Sequence, residues 1–241
     1  MTDLVLIHAF PVDAAMWGRQ VADLAGEART LAPHLPGFGG EDLPDGPLTV
    51  SGMADAVAAA MDRVGIDRAV IGGCSMGGYA AFEMWRRHRD RVAGLLLVDT
   101  RAEPDDEEGR AKRRDLAQRV REEGSGVVVE SPPPLLSAEA SGTLWEEVKA
   151  WIARQPAEAI ALASLGMAER PDSRPDLSGI DVPTTVVVGS GDTLTPPPMS
   201  EAMAAAIPDA ELVVLDGAGH LSNLEDPEGF LEAARGLLRR A

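Results

Sequence analysis

Apolar positions along this chain follow two alternating rhythms. Val5 to Ile7 is a short unbroken apolar run that stops at His8-Ala9-Phe10-Pro11, which predicts a buried strand and then a loop. From Met16 to Leu24 the spacing turns helical, with Trp17, Val21 and Leu24 on one side. Arg29 to Ala32 predicts a second strand running into the loop Pro33-His34-Leu35-Pro36-Gly37-Phe38-Gly39-Gly40. Thr49 or Ser51 is placed to cap a helix to about Val64, with Met53, Val57, Ala60 and Met61 facing inward. Ala69 to Gly72 predicts a buried strand, a glycine-rich turn follows, and the next helix ends near His88. Val92 to Val98 is the most apolar strand of all, ending in Asp99-Thr100.

The alternation then stops. Residues 101–175 hold a charged helical stretch from Asp105 to Glu123, a Pro132-Pro133-Pro134 break, and a helix with Trp145, Val148, Trp151 and Ile152 at helical spacing. Another helical stretch runs from Glu158 to Met167. Alternation resumes with a strand at Thr184 to Val188, a helix at Met199 to Ile207 and a strand at Leu212 to Leu215. A last helix starts at Asp226-Pro227, with Asp as N-cap and Pro in the first helical position. Strands alternating with helices predict a parallel sheet covered on both faces, with its functional groups in loops at the carboxyl ends of the strands. The expected organisation is a core of residues 1–100 and 176–241, with residues 101–175 inserted after the fourth strand as a helical lid over that edge.

Composition narrows this picture. A chain of 241 residues fits one α/β core with a modest insertion, and 45% apolar residues suffice to fill it. The longest apolar runs fall far short of the roughly 18 residues a membrane helix needs. Met1 to His8 lacks the basic region and cleavage site of a signal peptide, so a cytoplasmic protein is expected. A formal net charge of −17 disfavours nucleic acid or an anionic membrane as partner. Cys74 is the single cysteine, so neither an internal disulfide nor a cysteine-built metal site is expected.

The chemistry concentrates in three loops. Gly73-Cys74-Ser75-Met76-Gly77 fits G-x-S-x-G between a predicted strand and a predicted helix. A serine at the apex of such a tight turn needs small residues two positions away on each side, and the helix behind it offers free N–H groups to a developing oxyanion. For Cys74 the corresponding neighbours are Gly72 and Met76, and Met76 is too large, so Cys74 reads as a small buried residue. Ser75 needs a base, and the base needs a carboxylate to orient it. Of four histidines, His220 lies in a glycine-rich loop after the last strand, at the same sheet edge as Ser75. His88 reads as a solvated helix-end cation, His34 as structural, and His8 as a residue that fixes its own loop. Asp192, in Gly189-Ser190-Gly191-Asp192, is the preferred orienting acid, and Asp99 stands in reserve. The oxyanion hole is expected from the backbone N–H groups of Phe10 and Met76. Trp145, Trp151 and Met167, with Leu135 and Leu136, are candidates to line a substrate pocket, although their spacing fits packing of the insertion onto the core equally well.

Taken together, His8-Ala9-Phe10-Pro11, Leu35-Pro36-Gly37-Phe38-Gly39, Gly73-Cys74-Ser75-Met76-Gly77-Gly78, Gly189-Ser190-Gly191-Asp192 and Gly219-His220 resemble the α/β-hydrolase superfamily over essentially the whole chain. Within it the chain looks like small capped esterases and 3-oxoadipate enol-lactonases. The resemblance implies a Ser-His-Asp triad, a helical cap, no cofactor, and a small ester or lactone as substrate. It departs from the family at His8-Ala9, where His-Gly is usual, and it enters at what would be the family's third strand, leaving about six parallel strands. Serine at the apex argues against the branch that uses an aspartate nucleophile. Thioester cleavage, carbon–carbon bond hydrolysis and ligand binding without turnover remain alternatives on the same scaffold.

Overall fold

The computed structural model describes residues 2–241. Its strands are β1 (Asp3–Ile7), β2 (Thr30–Leu31), β3 (Ala69–Cys74), β4 (Val92–Val98), β5 (Thr184–Gly189) and β6 (Ala210–Leu215). Its helices are α1 (Gly18–Asp23), α2 (Val50–Arg63), α3 (Met76–Arg87), α4 (Glu107–Glu123), α5 (Gly126–Glu130), α6 (Gly142–Ala153), α7 (Ala157–Ala168), α8 (Arg174–Leu177), α9 (Pro197–Ala206), α10 (Ser222–Glu225) and α11 (Pro227–Arg240). The strands form one parallel sheet of six, ordered β2-β1-β3-β4-β5-β6.

The apolar runs are the strands, and the inner ones are buried on both faces, whereas β6 at the edge leaves Leu212 and Val214 exposed. Every residue of β3 and β5 is buried, and so are Leu4 to Ile7 of β1. Unbroken apolar sequence is what a covered parallel strand requires, and each such side chain contributes roughly 1.5–3 kcal/mol on leaving water. β2 is far shorter than the Arg29–Ala32 run suggested, since only Thr30 and Leu31 pair with β1. It is an edge strand with one neighbour and little to bury. The Met16–Leu24 helix begins as a 3-10 turn over Ala14–Trp17, capped by the Asp13 side chain, before α1 takes over.

Capping side chains set the ends of the longer helices. Thr49, not Ser51, accepts from Gly52 N–H to start α2. Asp106, Ser141 and Asp226 do the same for α4, α6 and α11, with Pro227 opening the last. Between β4 and β5 the chain forms α4 to α8 and adds no strand to the sheet. Within that segment α4 packs along α7.

The sheet order puts the site where it is. After β1 the chain builds β2 on one side and then crosses to β3 on the other, so β1 and β3 are neighbours that feed opposite directions. At such a switch point the loops leaving adjacent strands diverge and open a crevice beyond their carboxyl ends. Ile7 pairs with Gly73, which aligns the exits of β1 and β3 and sets the Phe10 loop beside the turn that carries Ser75.

Candidate active site

Ser75 stands between β3 and α3 at φ 53 and ψ −111, a left-handed conformation that a non-glycine residue holds only under constraint. Ser75 N–H donates to Val98 O at 2.9 Å, and Ser75 O accepts from Gly78 N–H at 2.9 Å and from Thr100 Oγ1 at 2.8 Å. The turn is so tight that a Cβ on Gly73 would lie 2.1 Å from Gly77 O, and one on Gly77 would lie 2.2 Å from Ile7 O. Gly73 is required by the close approach of the first turn of α3 to the end of β3, and Gly77 by the approach of that turn to the end of β1. Met76 is the first residue of α3, where backbone N–H groups have no partner within the helix. Cys74 is fully buried, and burial pushes its thiol well up from its ordinary range. Its Sγ–H donates to His220 O at 3.6 Å.

His220 and Asp192 meet from separate loops. His220 Nδ1 lies 2.8 Å from Asp192 Oδ2, both side chains almost wholly out of solvent. Asp192 Oδ1 accepts from the N–H groups of Leu194 at 2.8 Å and Thr195 at 3.0 Å, and Thr195 Oγ1 donates to Oδ2 at 2.6 Å. Burial alone would raise the Asp192 carboxyl. The hydrogen bonds from His220 and Thr195 outweigh it and hold that carboxyl below its usual range. An anionic Asp192 accepting from Nδ1–H leaves Nε2 of the neutral ring as the acceptor.

Asp99, the reserve acid, is also buried beside this pair but takes different partners. It accepts from Gly189 N–H at 2.9 Å, Ser222 N–H at 3.1 Å and Ser222 Oγ at 2.5 Å. It therefore joins the end of β4 to the end of β5 and to the segment just after His220, and burial pushes it up to about 7.

His8 Nδ1 lies 3.0 Å from Ala9 O, and Leu35 N–H donates to His8 Nε2 at 3.1 Å. A neutral ring with its proton on Nδ1 satisfies both contacts and ties the Phe10 loop to the Leu35-Pro36 loop. His34 accepts from Ala14 N–H at 3.3 Å, with Gly39 packed on its ring. His88 is not simply solvated at the end of α3, for its Nε2 lies 2.8 Å from Asp55 Oδ1.

Phe10, Ser75, Thr195 and His220 line a single cavity of about 390 Å³. Its walls include Leu116, Leu135 and Met167 from the helical segment, together with Arg101 and Arg113. Of the pocket candidates, Met167 reaches this cavity, whereas Trp145 and Trp151 are absent from its lining. Trp151 is buried in the core and Trp145 packs against it, because the face of α6 that carries them turns toward the protein interior. A larger cavity of about 560 Å³, beside Asp13, His34 and Arg154, contains none of these groups. Among the described residues, no group of three or more His, Cys, Asp or Glu side chains has the arrangement to hold a metal ion.

A profile of the alpha/beta hydrolase family matches residues 4–233. The chain belongs to that family. Among solved structures, a thermophilic esterase from Thermogutta terrifontis with malate bound superposes with a TM-score of 0.95 at 43% identity, covering 99% of this chain and 90% of that one. The enol-lactonase from Burkholderia xenovorans superposes with a TM-score of 0.90 at 28% identity, over 99% and 92% of the two chains. A pimeloyl (acyl-carrier protein) methyl ester esterase from Neisseria meningitidis is 30% identical over 239 residues, 93% of this chain and 89% of its own.

In this alpha/beta hydrolase several supporting groups carry little or no sequence signal. Thr195 lies in the same loop as Asp192, yet nothing in the sequence says that its hydroxyl turns back onto the carboxylate. Glu225 accepts from Gly219 N–H at 2.6 Å and from Ser137 Oγ at 2.5 Å, so it clamps the residue before His220 to the helical segment. Leu221 N–H donates to Leu135 O at 2.8 Å and extends the same seam.

Proposed function

We propose that this chain is a serine hydrolase that cleaves small carboxylic esters or lactones, with Ser75 as nucleophile, His220 as general base and Asp192 as the orienting acid. The observation that carries the proposal is the 2.8 Å contact between His220 Nδ1 and Asp192 Oδ2, with His220 and Ser75, on its strained turn, both on the wall of one cavity. In this mechanism His220 takes the Ser75 proton as Oγ attacks the carbonyl carbon. The N–H groups of Phe10 and Met76 hold the oxyanion. His220 then protonates the departing alkoxide and activates water to release the acid, while Asp192 stabilises the imidazolium. Residues 101–175 act as a lid that closes the cavity from above. The esterases and the enol-lactonase among the relatives support ester and lactone chemistry over the alternatives.

The deciding experiment compares wild type with Ser75→Ala on short-chain 4-nitrophenyl esters at pH 7–8. Turnover by wild type and a fall of about 10⁴-fold or more in the variant is the expected result. Equal rates from both proteins would sink the Ser75 mechanism. Inactivity of both would move carbon–carbon bond hydrolysis or a binding role ahead.

A further inference from the structure

The loop that carries His220 is gripped from two sides. On the core side Cys74 Sγ–H donates to His220 O, Ser222 N–H and Oγ–H donate to Asp99, and Gly191 N–H donates to Ala218 O at 2.8 Å. On the other side lies the helical segment between β4 and β5, which presents residues 135–137 as a strap across the loop. Directly after the histidine, Leu221 N–H donates to Leu135 O at 2.8 Å. Directly before it, Gly219 N–H donates to Glu225 Oε2 at 2.6 Å. That oxygen also accepts from Ser137 N–H at 3.0 Å, and Glu225 Oε1 accepts from Ser137 Oγ–H at 2.5 Å. Each neighbour of His220 is thus tied to the strap, one directly and one through Glu225.

The approach is close enough to dictate a residue. A Cβ on Gly219 would lie 2.5 Å from Leu136 C, closer still to Ser137 N, and 2.8 Å from Glu225 Oε2. The Gly219 backbone is not in the left-handed region, so glycine answers here to space and not to dihedral preference. The strap also reaches the reaction space, since Leu135 lines the cavity together with Ser75 and His220.

The physical need for this frame follows from the geometry of proton transfer. Asp192 fixes the imidazole through Nδ1, which sets the rotation of the ring. Where the ring starts from is set by the backbone of residues 219–221. A general base works only within hydrogen-bond reach of the proton it takes, and a displacement of about 1 Å can cost about 100-fold in rate. A carboxylate suits the junction because it accepts several donors at once, through bonds roughly twice as strong as neutral ones.

We infer that Glu225 is a positioning residue for the general base: by latching Gly219 to Ser137 it makes residues 135–137 part of the frame that sets His220 against Ser75. The inference rests on the serine-hydrolase reading of the same cavity. It gives the helical segment a task besides closing the cavity, because the segment cannot lift at residues 135–137 without displacing the histidine loop.

The test begins with 4-nitrophenyl acetate. Glu225→Ala is expected to lower kcat by about 10- to 100-fold while KM changes by less than about threefold. Glu225→Gln keeps an oxygen for Gly219 and Ser137 N–H and offers an amino group to Ser137 Oγ, so it is expected to recover most of the loss. Thermal melting checks that both variants are folded at the assay temperature. Should Glu225→Ala fail that check, Ser137→Ala, which removes only the hydroxyl contact, carries the same test with a smaller fall in kcat. A raised KM with kcat unchanged would make Glu225 a fastening of the helical segment alone and overturn the proposal, as would unaltered kinetics. A second readout needs no turnover: the ¹⁵N-labelled His220 ring, identified by its loss in His220→Gln. Its Nδ1 proton, shared with Asp192, is expected to exchange faster with water and broaden in Glu225→Ala and to sharpen again in Glu225→Gln. An inactive wild type that shows this change sinks the hydrolase reading and upholds the positioning role. A signal that stays the same in Glu225→Ala overturns that role.

Discussion

Burial pulls the His8 imidazole down to about 4, and with it the stability of the loop it ties. Above pH 6.5 His8 is neutral in both folded and unfolded chains, so its contribution is complete. As pH falls from 6.5 toward 4, the unfolded chain binds a proton that the folded chain refuses, and stability is lost at about 1.4 kcal/mol per pH unit. Asp99 works the other way: its carboxyl is raised from 3.8 to about 7, so the stability it contributes is lost as pH climbs through that window. The His8 effect is therefore read as a difference. Urea unfolding at pH 7 and pH 4.5 should show wild type losing about 2–3 kcal/mol more than His8→Gln on acidification. Parallel losses in the two proteins would contradict a neutral buried His8. The two acids near His220 separate by the same kind of comparison. Asp192→Asn should cut kcat by about 10³–10⁴-fold, because the imidazole loses the acceptor that fixes its tautomer. Asp99→Asn, which removes a strut bonded to Gly189 and Ser222, should cost about 1–3 kcal/mol of stability and spare most of kcat. The reverse pattern would make Asp99 the orienting acid.

At the scale of elements, the helical segment between β4 and β5 is fastened to the core at a few polar points. Asp13, wholly buried at its side chain, accepts from Arg154 Nε and Nη2 at 2.7 Å and from Gln155 Nε2 at 2.7 Å, at the end of α6. Burial opposes its charge, but the Arg154 contact prevails and holds its carboxyl low. The Ser137–Glu225 contact is the second fastening, and it reaches the His220 loop. Asp13→Ala should loosen the first fastening and leave the second. Hydrogen exchange is expected to quicken over residues 142–168 while β3 and β4 stay protected, and KM for esters should rise more than kcat falls. Uniform exchange across the chain would mean that Asp13 supports the whole fold and not this segment. Only part of this was legible in sequence. Helix α6 was readable from Trp145, Val148, Trp151 and Ile152, but periodicity reports which side of a helix is apolar and not what that side meets. Trp145 and Trp151 face the core, and the cavity wall is built by Leu116 of α4 and Met167 of α7.

At the scale of the molecule, a chain of net charge −17 holds a cavity whose charged lining, Arg101, Lys112 and Arg113 against Asp105, is net positive. No described helix is long and apolar enough to cross a membrane. What the sequence alone determined was local. Unbroken apolar runs specified buried parallel strands, Asp226-Pro227 specified a helix start, and the glycines flanking Ser75 specified a turn too tight for side chains, because each of these depends on residues within one turn or one strand. The same locality made Ser75, His220 and Asp192 nameable as candidates. The tertiary structure decided which distant groups meet. It turned Thr195 onto Asp192, gave Asp99 to Gly189 and Ser222, and gathered Arg101, Arg113 and Arg170 around Asp105. Those pairings join residues up to 123 positions apart. A polar side chain's partner depends on where the backbone carries it in space, and no spacing along the chain encodes that.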